Sequence, residues 1–516
     1  MESQKLILSD RLYVPEELVN DDMLEEFTYN FEVDDTSELE DAFGRRGFSF
    51  GDGIAVVRTY TKVKDKDGKI FVGFSRGNLS KIGNMFGNYD WEDRTAAPPM
   101  TYDLKFLPTA KLRTYEKDGQ GQQEAVNEWL RRRYGIIKAP PRFGKTISSI
   151  YLIAKLGLKT LIIAHQKDLL EQFKNSFLAF SNVGEMLDGS SSEPAYAKRK
   201  KRDASGRIYG YFQDYDNPEE LDVCFLCWQT FASKYGPERI KAYRDTWGLV
   251  IVDEIHRAGS LKYASVVNRL NARHRMGLTG TVERADEHEK IVHDIVGPVT
   301  AVGKVEQITC AVTVIKTGAE IKFDIKEPLP FLHKRIYNAP GRMDIVLKYL
   351  QQDINDGFSI CVAFHRYSVA QLEDFTDTLK CMGIRAEAFY GTMNKNREDV
   401  LNSFRDGSIQ VAVCNNSMLT GIDVPRWNAY YACFPSASVV FNEDNDLSGN
   451  VYQEFSRIRT PFRYEDGRKK KFGLIRDFVD NNGFCNGSFK KRLKAYRHQG
   501  FAVEFFEAPR EKDHGF

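Results

Sequence analysis

Short runs of apolar residues alternate with longer stretches of mixed polarity from about residue 111 onward. The runs 160–164 (TLIIA) and 249–252 (LVIV) are apolar along their whole length. This pattern is typical of strands covered on both faces, as in a parallel sheet flanked by helices. The stretches between such runs, for example 167–180, predict helices. This part of the chain therefore predicts an α/β fold built on parallel strands.

The same alternation restarts in the second part of the chain. The runs that predict strands there lie at 359–364, 386–390, 409–414 and 429–433. Stretches that predict helices, such as 367–381 and 394–405, separate these runs. We therefore expect two α/β lobes, at 111–302 and 303–516, with the residues near 303–340 joining them.

Residues 1–110 have a different pattern. Two runs that predict strands, 54–63 and 69–74, flank Asp67 and Gly68. An Asp-Gly pair between two such runs predicts a β-hairpin. Several lysines and arginines surround this hairpin. We expect a small α+β module that binds nucleic acid.

Two further segments are rich in basic residues. A polar insertion at 184–218 interrupts the first lobe and carries five consecutive basic residues at 198–202. Loops of this length are uncommon inside compact domains and are often functional. Near the C-terminus, the stretch 490–497 predicts a basic helix. For each segment two interpretations stay open, a contact with the nucleic-acid backbone or a solvated surface.

The overall charge is balanced, with 73 Lys and Arg against 72 Asp and Glu, and so identifies no partner. No run approaches the roughly 18 consecutive apolar residues of a membrane span, and the N-terminus lacks the pattern of a signal peptide. The eight cysteines are scattered, mostly in apolar runs, which indicates buried thiols in a reducing compartment. Cys224 and Cys227 have the spacing of zinc ligands but no second pair nearby, so we expect no zinc site. We expect a cytoplasmic protein without membrane contact.

The segment 139–146 (APPRFGKT) joins a predicted strand, 134–138, to a predicted helix. Loops in this position bind phosphates, because the unpaired N–H groups and the positive dipole of the helix N-terminus face them. Lys145 is expected to reach the β- and γ-phosphates of ATP, and Thr146 is expected to hold Mg²⁺. This segment therefore predicts a nucleotide site.

The amino-acid sequence of the loop is unusual at one position. Gly144 allows a close turn, but Arg142 stands where such loops often carry a second glycine. An arginine fits there if its backbone needs no positive φ. We expect ATP to contact Ala139, Pro140, Pro141, Arg142, Phe143, Gly144, Lys145 and Thr146.

A pair of acidic residues supports the nucleotide site. The apolar strand 249–252 ends in Asp253 and Glu254. Packing alone does not explain this ending, because an unpaired buried charge costs several kcal/mol. We expect Asp253 to hold Mg²⁺ and Glu254 to orient and deprotonate the attacking water.

With Asp253-Glu-Ile-His256 after the Gly-Lys-Thr loop, residues 111–480 resemble the superfamily two helicases, the DEAD/DEAH-like ATPases. Gln122 resembles the glutamine that reads adenine in that family. The family's Leu-Arg-x-Tyr run, here 112–115, is separated from this glutamine by six residues. The resemblance implies two tandem RecA-like parallel-sheet lobes, preceded here by the small α+β module, with ATP and Mg²⁺ between them.

The same resemblance assigns roles to further residues. It implies a role in coupling hydrolysis to movement for His256, Thr279 and Thr281. It implies contact with nucleic acid for His165, Gln166, Gln229, Thr230, His365 and Thr420. His165 departs from the proline-containing pattern of the family. Gly421 and Asp423 are similar to family residues that touch the nucleotide.

A last segment resembles the arginine-bearing motif of the family's second lobe. The family pattern is Gln-x-x-Gly-Arg-x-x-Arg, whereas this chain reads Gln453-Glu-Phe-Ser456-Arg457-Ile-Arg459. A serine replaces the glycine, and the second arginine falls one position early. The resemblance implies catalytic roles for Gln453 and the arginines. We favour Arg457 as the arginine finger and keep Arg459 as the alternative.

The front module and the overall layout are similar to the phage UvsW-type helicases. This similarity implies an ATP-dependent DNA helicase or translocase that remodels branched or forked DNA, by fork regression and Holliday-junction branch migration, in replication, recombination or repair. A phage-encoded protein would act in the host cytoplasm. Three alternatives stay open: a duplex-DNA translocase subunit of a restriction-type complex, an RNA helicase, and a nucleic-acid annealing protein with residual ATPase activity. No protein partner is implied.

Overall fold

The computed structural model describes residues 5–32, 48–51, 54–114, 121–140, 142–184, 208–215, 217–256, 261–280, 289–322, 329–364, 368–390, 397–415, 424–436, 439–441, 447–448 and 450–507. The chain divides into two units, Met1–Val305 and Glu306–Phe516. Each unit contains one seven-stranded sheet among its described strands. No helix within the described residues combines the length and the apolar character needed to span a membrane.

The first unit contains two N-terminal sheets and one long parallel sheet. Its strands are β1 Leu6–Leu8, β2 Arg11–Pro15, β3 Thr28–Glu32, β4 Phe48–Gly51, β5 Ile54–Arg58, β6 Tyr60–Lys64, β7 Ile70–Ser75, β8 Trp91–Asp93, β9 Tyr134–Lys138, β10 Thr160–Ala164, β11 Tyr209–Tyr211, β12 Val223–Cys227, β13 Leu249–Asp253, β14 His274–Thr279 and β15 Val299–Val302. Its α-helices are α1 Asp21–Glu25, α2 Leu79–Met85, α3 Gln122–Arg132, α4 Lys145–Leu156, α5 Lys167–Phe180, α6 Gln229–Ala232, α7 Gly236–Tyr243, α8 Leu261–Asn268 and α9 Glu289–Val296.

The N-terminal module is α+β, as expected. Among the described strands, β6-β7-β2-β1-β8 form a mixed sheet and β3-β5-β4 a second sheet. The hairpin around Gly68 is confirmed as β6 and β7. The expected single strand 54–63 is wrong, because it divides at Thr59 into β5 and β6, which belong to different sheets. Thr59 marks the break because its N–H donates to the carbonyl oxygen of Phe27 and its hydroxyl to Asp294 in α9.

The first α/β lobe follows this module in the same unit. Its described strands form one parallel sheet in the order β11-β12-β10-β13-β14-β9-β15. The predicted strands β9, β10, β12 and β13 are confirmed, and apolar clusters cover both faces of the sheet. The insertion 184–218 is not loop throughout, because Tyr209–Tyr211 pairs with β12 as an edge strand. Its basic residues at 198–202 lie outside the described residues.

The second unit repeats this architecture. Its strands are β16 Cys310–Glu320, β17 Ile360–Ala363, β18 Ala386–Phe389, β19 Val411–Cys414, β20 Ala429–Ala432, β21 Val440–Phe441, β22 Leu447–Ser448, β23 Gly473–Asn481 and β24 Ala502–Glu507. Its α-helices are α10 Leu329–Tyr337, α11 Arg342–Asn355, α12 Val369–Cys381, α13 Arg397–Asp406, α14 Asn450–Ser456 and α15 Gly483–His498. The described strands β18-β19-β17-β20-β23-β16-β24 form a second parallel sheet, which confirms the expected two-lobe α/β fold.

One expectation for the second unit is corrected. The residues near 303–340 do more than join the lobes, because β16 lies between β23 and β24 in the second sheet and buries Val312, Val314 and Ile315.

The two interpretations of the basic C-terminal helix stay open, although one of its basic residues is buried. Arg492 is 2% exposed and donates from Nε and Nη2 to the two carboxylate oxygens of Asp477, at 2.9 and 2.7 Å.

Candidate nucleotide and nucleic-acid site in the first lobe

The carboxyl ends of neighbouring parallel strands bring the phosphate loop, the acidic pair and a coupling residue to one edge of the sheet. Strand β14 lies between β9 and β13. Thr279, at the end of β14, is in register with Lys138 at the end of β9. The N–H of Ala139, where the phosphate loop begins, donates to the carbonyl oxygen of Thr279 at 2.8 Å. Asp253 ends β13 on the other side of β14.

The phosphate loop has a strained backbone. Arg142 has a φ of +68° and Gly144 a φ of +87°. The condition under which an arginine fits here without strain, a backbone that needs no positive φ, is therefore not met. A non-glycine residue in this conformation costs about 1–3 kcal/mol, so other contacts must hold the loop in place. A Cβ atom on Gly144 would lie 2.1 Å from Nε2 of Gln122, which explains the glycine at that position.

Gln122 and Arg113 clamp three successive carbonyl groups of this loop. Gln122 is 2% exposed, and its Nε2 donates to the carbonyl oxygens of Phe143, at 2.8 Å, and Gly144, at 3.4 Å. Nη2 of Arg113 donates to the carbonyl oxygens of Arg142, at 2.9 Å, and Phe143, at 2.6 Å. The backbone N–H of Arg113 donates to Oε1 of Gln122 at 2.9 Å. The two residues therefore support each other and the strained loop.

The clamp adds to what the sequence indicated. Arg113 was not among the expected site residues, although it belongs to the Leu-Arg-x-Tyr run beside the glutamine motif. The adenine-reading role of Gln122 stays a prediction, since both ends of its amide are engaged within the protein. Pro141 lies outside the described residues. Phe143 is 1% exposed, so its side chain anchors the loop in the core.

Lys145 begins helix α4 and turns back over the loop. Its Nζ donates to the carbonyl oxygen of Ala139 at 2.8 Å. The ammonium group therefore reaches back to the start of the loop, next to the end of β9. Thr146, the next residue of α4, is half-buried. The roles of Lys145 in binding phosphate and of Thr146 in binding Mg²⁺ stay predictions.

The first residue of the acidic pair is buried beside a second carboxylate. Burial, and then the charge of Glu254, raise the pKa of Asp253 to about 7, while Lys145 opposes this rise. Glu254 has a φ of +49°, a further strained position. The carboxylates of Asp253 and Glu254 supply the hard oxygen atoms that Mg²⁺ prefers. These residues therefore fit a Mg²⁺ ion.

His256 connects the acidic pair to the coupling residue. Its Nδ1 lies 3.2 Å from Oε2 of Glu254 and 2.9 Å from Oγ1 of Thr279. Thr279 is fully buried, so the hydroxyl is held in one place. One ring nitrogen therefore faces both the carboxylate expected to activate water and the threonine expected to transmit the result. Thr281 lies outside the described residues.

The first-lobe residues expected to contact nucleic acid also meet at this edge. His165 and Gln166 follow β10, and Gln229 and Thr230 begin α6 just after β12, the neighbouring strand. Nε2 of Gln229 donates to the carbonyl oxygen of His165 at 3.0 Å. Gln166 and Gln229 are exposed and Thr230 is half-buried. The other two expected nucleic-acid residues, His365 and Thr420, lie outside the described residues.

In the second unit, the arginine motif occupies the end of α14 and the 3-10 turn after it. Gln453 lies in α14, whereas Arg457 and Arg459 lie in the turn and are 7% and 9% exposed. Nε and Nη1 of Arg459 donate to the carbonyl oxygen of Ile308, at 3.2 Å, and to Oε1 of Gln499, at 2.7 Å. Burial lowers the pKa of Arg459.

The second arginine of this motif makes one more contact within its own unit. The guanidinium of Arg459 lies 5.1 Å from the ring centroid of Phe501. The assignment of the finger to Arg457, with Arg459 as the alternative, stays a prediction. Gly421 and Asp423, the other nucleotide residues expected in this unit, lie outside the described residues.

Family models match both lobes of the chain. The model described as "Type III restriction enzyme, res subunit" matches residues 117–284, and "Helicase conserved C-terminal domain" matches residues 341–456. Together they cover more than half of the chain. Their order along the chain is that of the two lobes.

Curated relatives show a distant similarity. A "General transcription and DNA repair factor IIH helicase/translocase subunit XPB" of Dictyostelium discoideum is 23% identical over 362 residues, which are 66% of this chain and 41% of that protein. A "DNA 3'-5' translocase XPB2" of Sulfurisphaera tokodaii is 23% identical over 347 residues, 59% of this chain and 72% of that protein. This chain thus spans less than half the length of the first of these relatives.

A solved structure, "The crystal structure of T4 UvsW", is 16% identical and aligns over 98% of this chain and 99% of that one, with a TM-score of 0.33. The two family models match one lobe each, in the order that the sequence resemblance implies. The chain belongs to the superfamily two helicases.

Proposed function

We propose that the chain is an ATP-dependent DNA helicase or translocase. One observation carries this proposal. The phosphate loop, the acidic pair and the coupling threonine lie along one sheet edge, and the residues expected to touch nucleic acid follow β10 and β12 on the same edge. The names of the XPB relatives include "DNA repair factor" and "DNA 3'-5' translocase", and this supports the choice of DNA.

In this proposal five residues have a chemical role, four of them in the first lobe. Asp253 and Thr146 would hold Mg²⁺, which would supply positive charge against the phosphates. Lys145 exchanges the carbonyl oxygen of Ala139 for phosphate oxygens. Glu254 accepts a proton from the attacking water, and Arg457 supplies positive charge during phosphoryl transfer.

The contacts of His256 support a route for coupling. When Glu254 gains a proton, it loses the negative charge that faces Nδ1 of His256. The same nitrogen faces the hydroxyl of Thr279, so the change alters the hydrogen bond that fixes the end of β14. Thr279 in turn accepts from Ala139 of the phosphate loop. Occupancy of the nucleotide site and the end of β14 are thus linked by short polar contacts.

We further propose branched or forked DNA as the substrate, with fork regression and branch migration as the reactions. The N-terminal module supports this because it is fixed to the first lobe. Asp294 of α9 is 4% exposed and accepts hydrogen bonds from Tyr29, Thr59 and Asn78 of the module, at 3.1, 2.5 and 2.9 Å. Such a module extends the lobe as a rigid part, which suits a wedge at a junction.

Three of the basic residues around the hairpin are engaged within the module. Lys62 pairs with Glu16 at 2.6 Å, and Lys81 with Glu26 at 2.5 Å. Arg76 is 6% exposed and donates inward. We propose that the module acts at a junction through its shape and position.

The test of the main proposal is steady-state ATP hydrolysis with and without DNA. We expect DNA to stimulate the wild-type chain and Lys145→Ala to lose hydrolysis, because the triphosphate loses its main positive contact. Lys155→Ala is the matched control, since Lys155 is exposed in the last turn of the same helix. Normal hydrolysis by Lys145→Ala would contradict the proposed site.

A separate comparison tests the substrate. Hydrolysis and strand exchange are measured on single strands, linear duplex, forks, four-way junctions and RNA. We expect forks and junctions to stimulate more than linear DNA. Equal stimulation by linear duplex would favour a translocase without junction preference, and stronger stimulation by RNA would contradict the DNA proposal.

A further inference from the structure

An exposed tyrosine stands close to the proposed nucleic-acid residues of the first lobe. Tyr235 lies in the turn between α6 and α7 and is 59% exposed, the largest value among the exposed large apolar side chains of the described residues. Gln229 and Thr230 lie at the start of α6, one short helix away. Within the described residues, no aromatic ring packs against Tyr235, so its ring is available to a ligand.

The turn that carries Tyr235 is rigid. The N–H of Gly236 donates to the carbonyl oxygen of Ser233 at 2.8 Å. The hydroxyl of Ser233 donates to the carbonyl oxygen of Thr230, also at 2.8 Å. A Cβ atom on Gly236 would lie 1.8 Å from the carbonyl oxygen of Phe231, so only glycine fits there. A ring presented by such a turn loses little freedom on binding.

The helix before the turn is also fixed, and this places Tyr235 relative to the end of β10. Gln229 donates to the carbonyl oxygen of His165, and the N–H of Trp228 donates to that of Ala164 at 3.2 Å. The ring of Trp228 stacks on that of Tyr263, with centroids 5.2 Å apart and an interplanar angle of 12°. The exposed ring and the proposed backbone contacts therefore belong to one continuous rigid surface.

A positive charge accompanies the ring. Nζ of Lys234 lies 6.0 Å from the ring centroid of Tyr235, and Lys234 is itself exposed. An aromatic face beside a cation is the combination that binds unpaired bases and their phosphates. A base inside a duplex is already stacked on both sides and offers no such face.

We propose that Tyr235 stacks on an unpaired nucleobase and that Lys234 contacts the adjacent phosphate. This inference rests on the proposed function and deepens it, because it adds a base contact to a surface otherwise expected to grip only the backbone. The site distinguishes single strands from duplex. It gives no base preference, since every base has a stacking face.

The test measures dissociation constants, by fluorescence anisotropy, for a DNA oligothymidylate, an RNA oligouridylate and a blunt DNA duplex. We expect Tyr235→Ala to weaken single-strand binding roughly 5- to 20-fold, the range of a modest stacking contact. Tyr235→Phe keeps the ring, so its dissociation constant for single strands should stay within about 2-fold of the wild-type value. The dissociation constants of both variants for the duplex should also stay within about 2-fold of wild type. The DNA and RNA arms identify which strand supplies the base.

Two further readouts separate stacking from a general loss of affinity. A 2-aminopurine base in the oligonucleotide should be quenched on binding to wild type and Tyr235→Phe but not to Tyr235→Ala. Lys234→Ala should reduce the slope of log K against log salt by about 0.7, the value for one phosphate of a single strand. Phe331→Ala is the matched control, because Phe331 is 57% exposed and lies in the second unit.

An unchanged affinity of Tyr235→Ala for single strands would overturn the inference. An equal loss of affinity for single strands and for duplex would also overturn it, because it would indicate a different surface. Thermal unfolding of the variant should match wild type, because the ring is exposed. If the wild-type chain binds no nucleic acid, the proposed function fails as well. If wild type binds and only Tyr235→Ala is without effect, the proposed function stands and this inference alone fails.

Discussion

Gln122→Ala separates two roles for the glutamine beside the phosphate loop. The family resemblance assigns it to adenine, whereas in the structure its amide holds the loop. The substitution removes the 2.8 Å hydrogen bond to Phe143 and the 2.9 Å hydrogen bond from Arg113. At about 1 kcal/mol for each bond, the loop loses about 2 kcal/mol of support. This is comparable with the strain of a positive φ at Arg142.

The loop conformation must be restored when the triphosphate binds, so nucleotide affinity should fall by up to about 30-fold. The loss should be the same for ATP and GTP, because the two share the triphosphate and differ in the base. Dissociation constants of both nucleotides with Mg²⁺, measured by isothermal titration calorimetry, test this. Gln123→Ala is the control, because Gln123 bonds Asn127 on the exposed side of the same helix, and it should change neither constant.

A loss confined to ATP would refute the clamp as the main role of Gln122 and restore adenine reading. No loss for either nucleotide would show that Arg113 alone supports the loop.

Two further predictions concern catalysis and stability. Glu254→Gln keeps the size of the side chain but removes the proposed base. The rate of single-turnover hydrolysis should therefore fall roughly 10²- to 10⁴-fold, while ATP affinity is retained. An unchanged rate would show that Glu254 is not the base. Burial, and then Arg133, lower the pKa of His274 to about 4, below the value of about 6.5 in an unfolded chain. The unfolded state therefore takes up a proton first, and stability present above pH 6.5 should be lost as the pH falls towards 4, by about 3 kcal/mol. Urea unfolding, followed by tryptophan fluorescence, measures this loss of unfolding free energy. The loss should be smaller in His274→Gln than in wild type. An equal loss in the two proteins would show that the imidazole titrates normally.

The elements that position the site were predictable because their sequence signals are local. The apolar runs of β9, β10 and β13 are short, uninterrupted and followed by polar residues. Carboxyl ends of parallel strands meet at one edge, and the structure brings the residues that follow β9 and end β13 to that edge. The contact between His256 and Thr279 follows from the same geometry, since β14 lies beside β13.

Other features depend on partners distant in sequence and left no local signal. Thr59 divides a strand because its hydroxyl bonds Asp294, 235 residues away. Strand β16 contains buried threonines, Thr313 and Thr317, and so lacked the uninterrupted apolar run that marked the other strands. The positive φ of Arg142 is tolerated because Gln122 and Arg113 hold the loop, and neither spacing nor residue type at Arg142 reveals that support.

The most direct test of the central claim is strand displacement from a forked DNA duplex by the full chain. The account predicts displacement with ATP and Mg²⁺, none with a non-hydrolysable ATP analogue, and none by Glu254→Gln. Displacement that proceeds equally without hydrolysis, or in the Glu254→Gln variant, would contradict the claim that ATP hydrolysis in the first lobe drives movement on DNA.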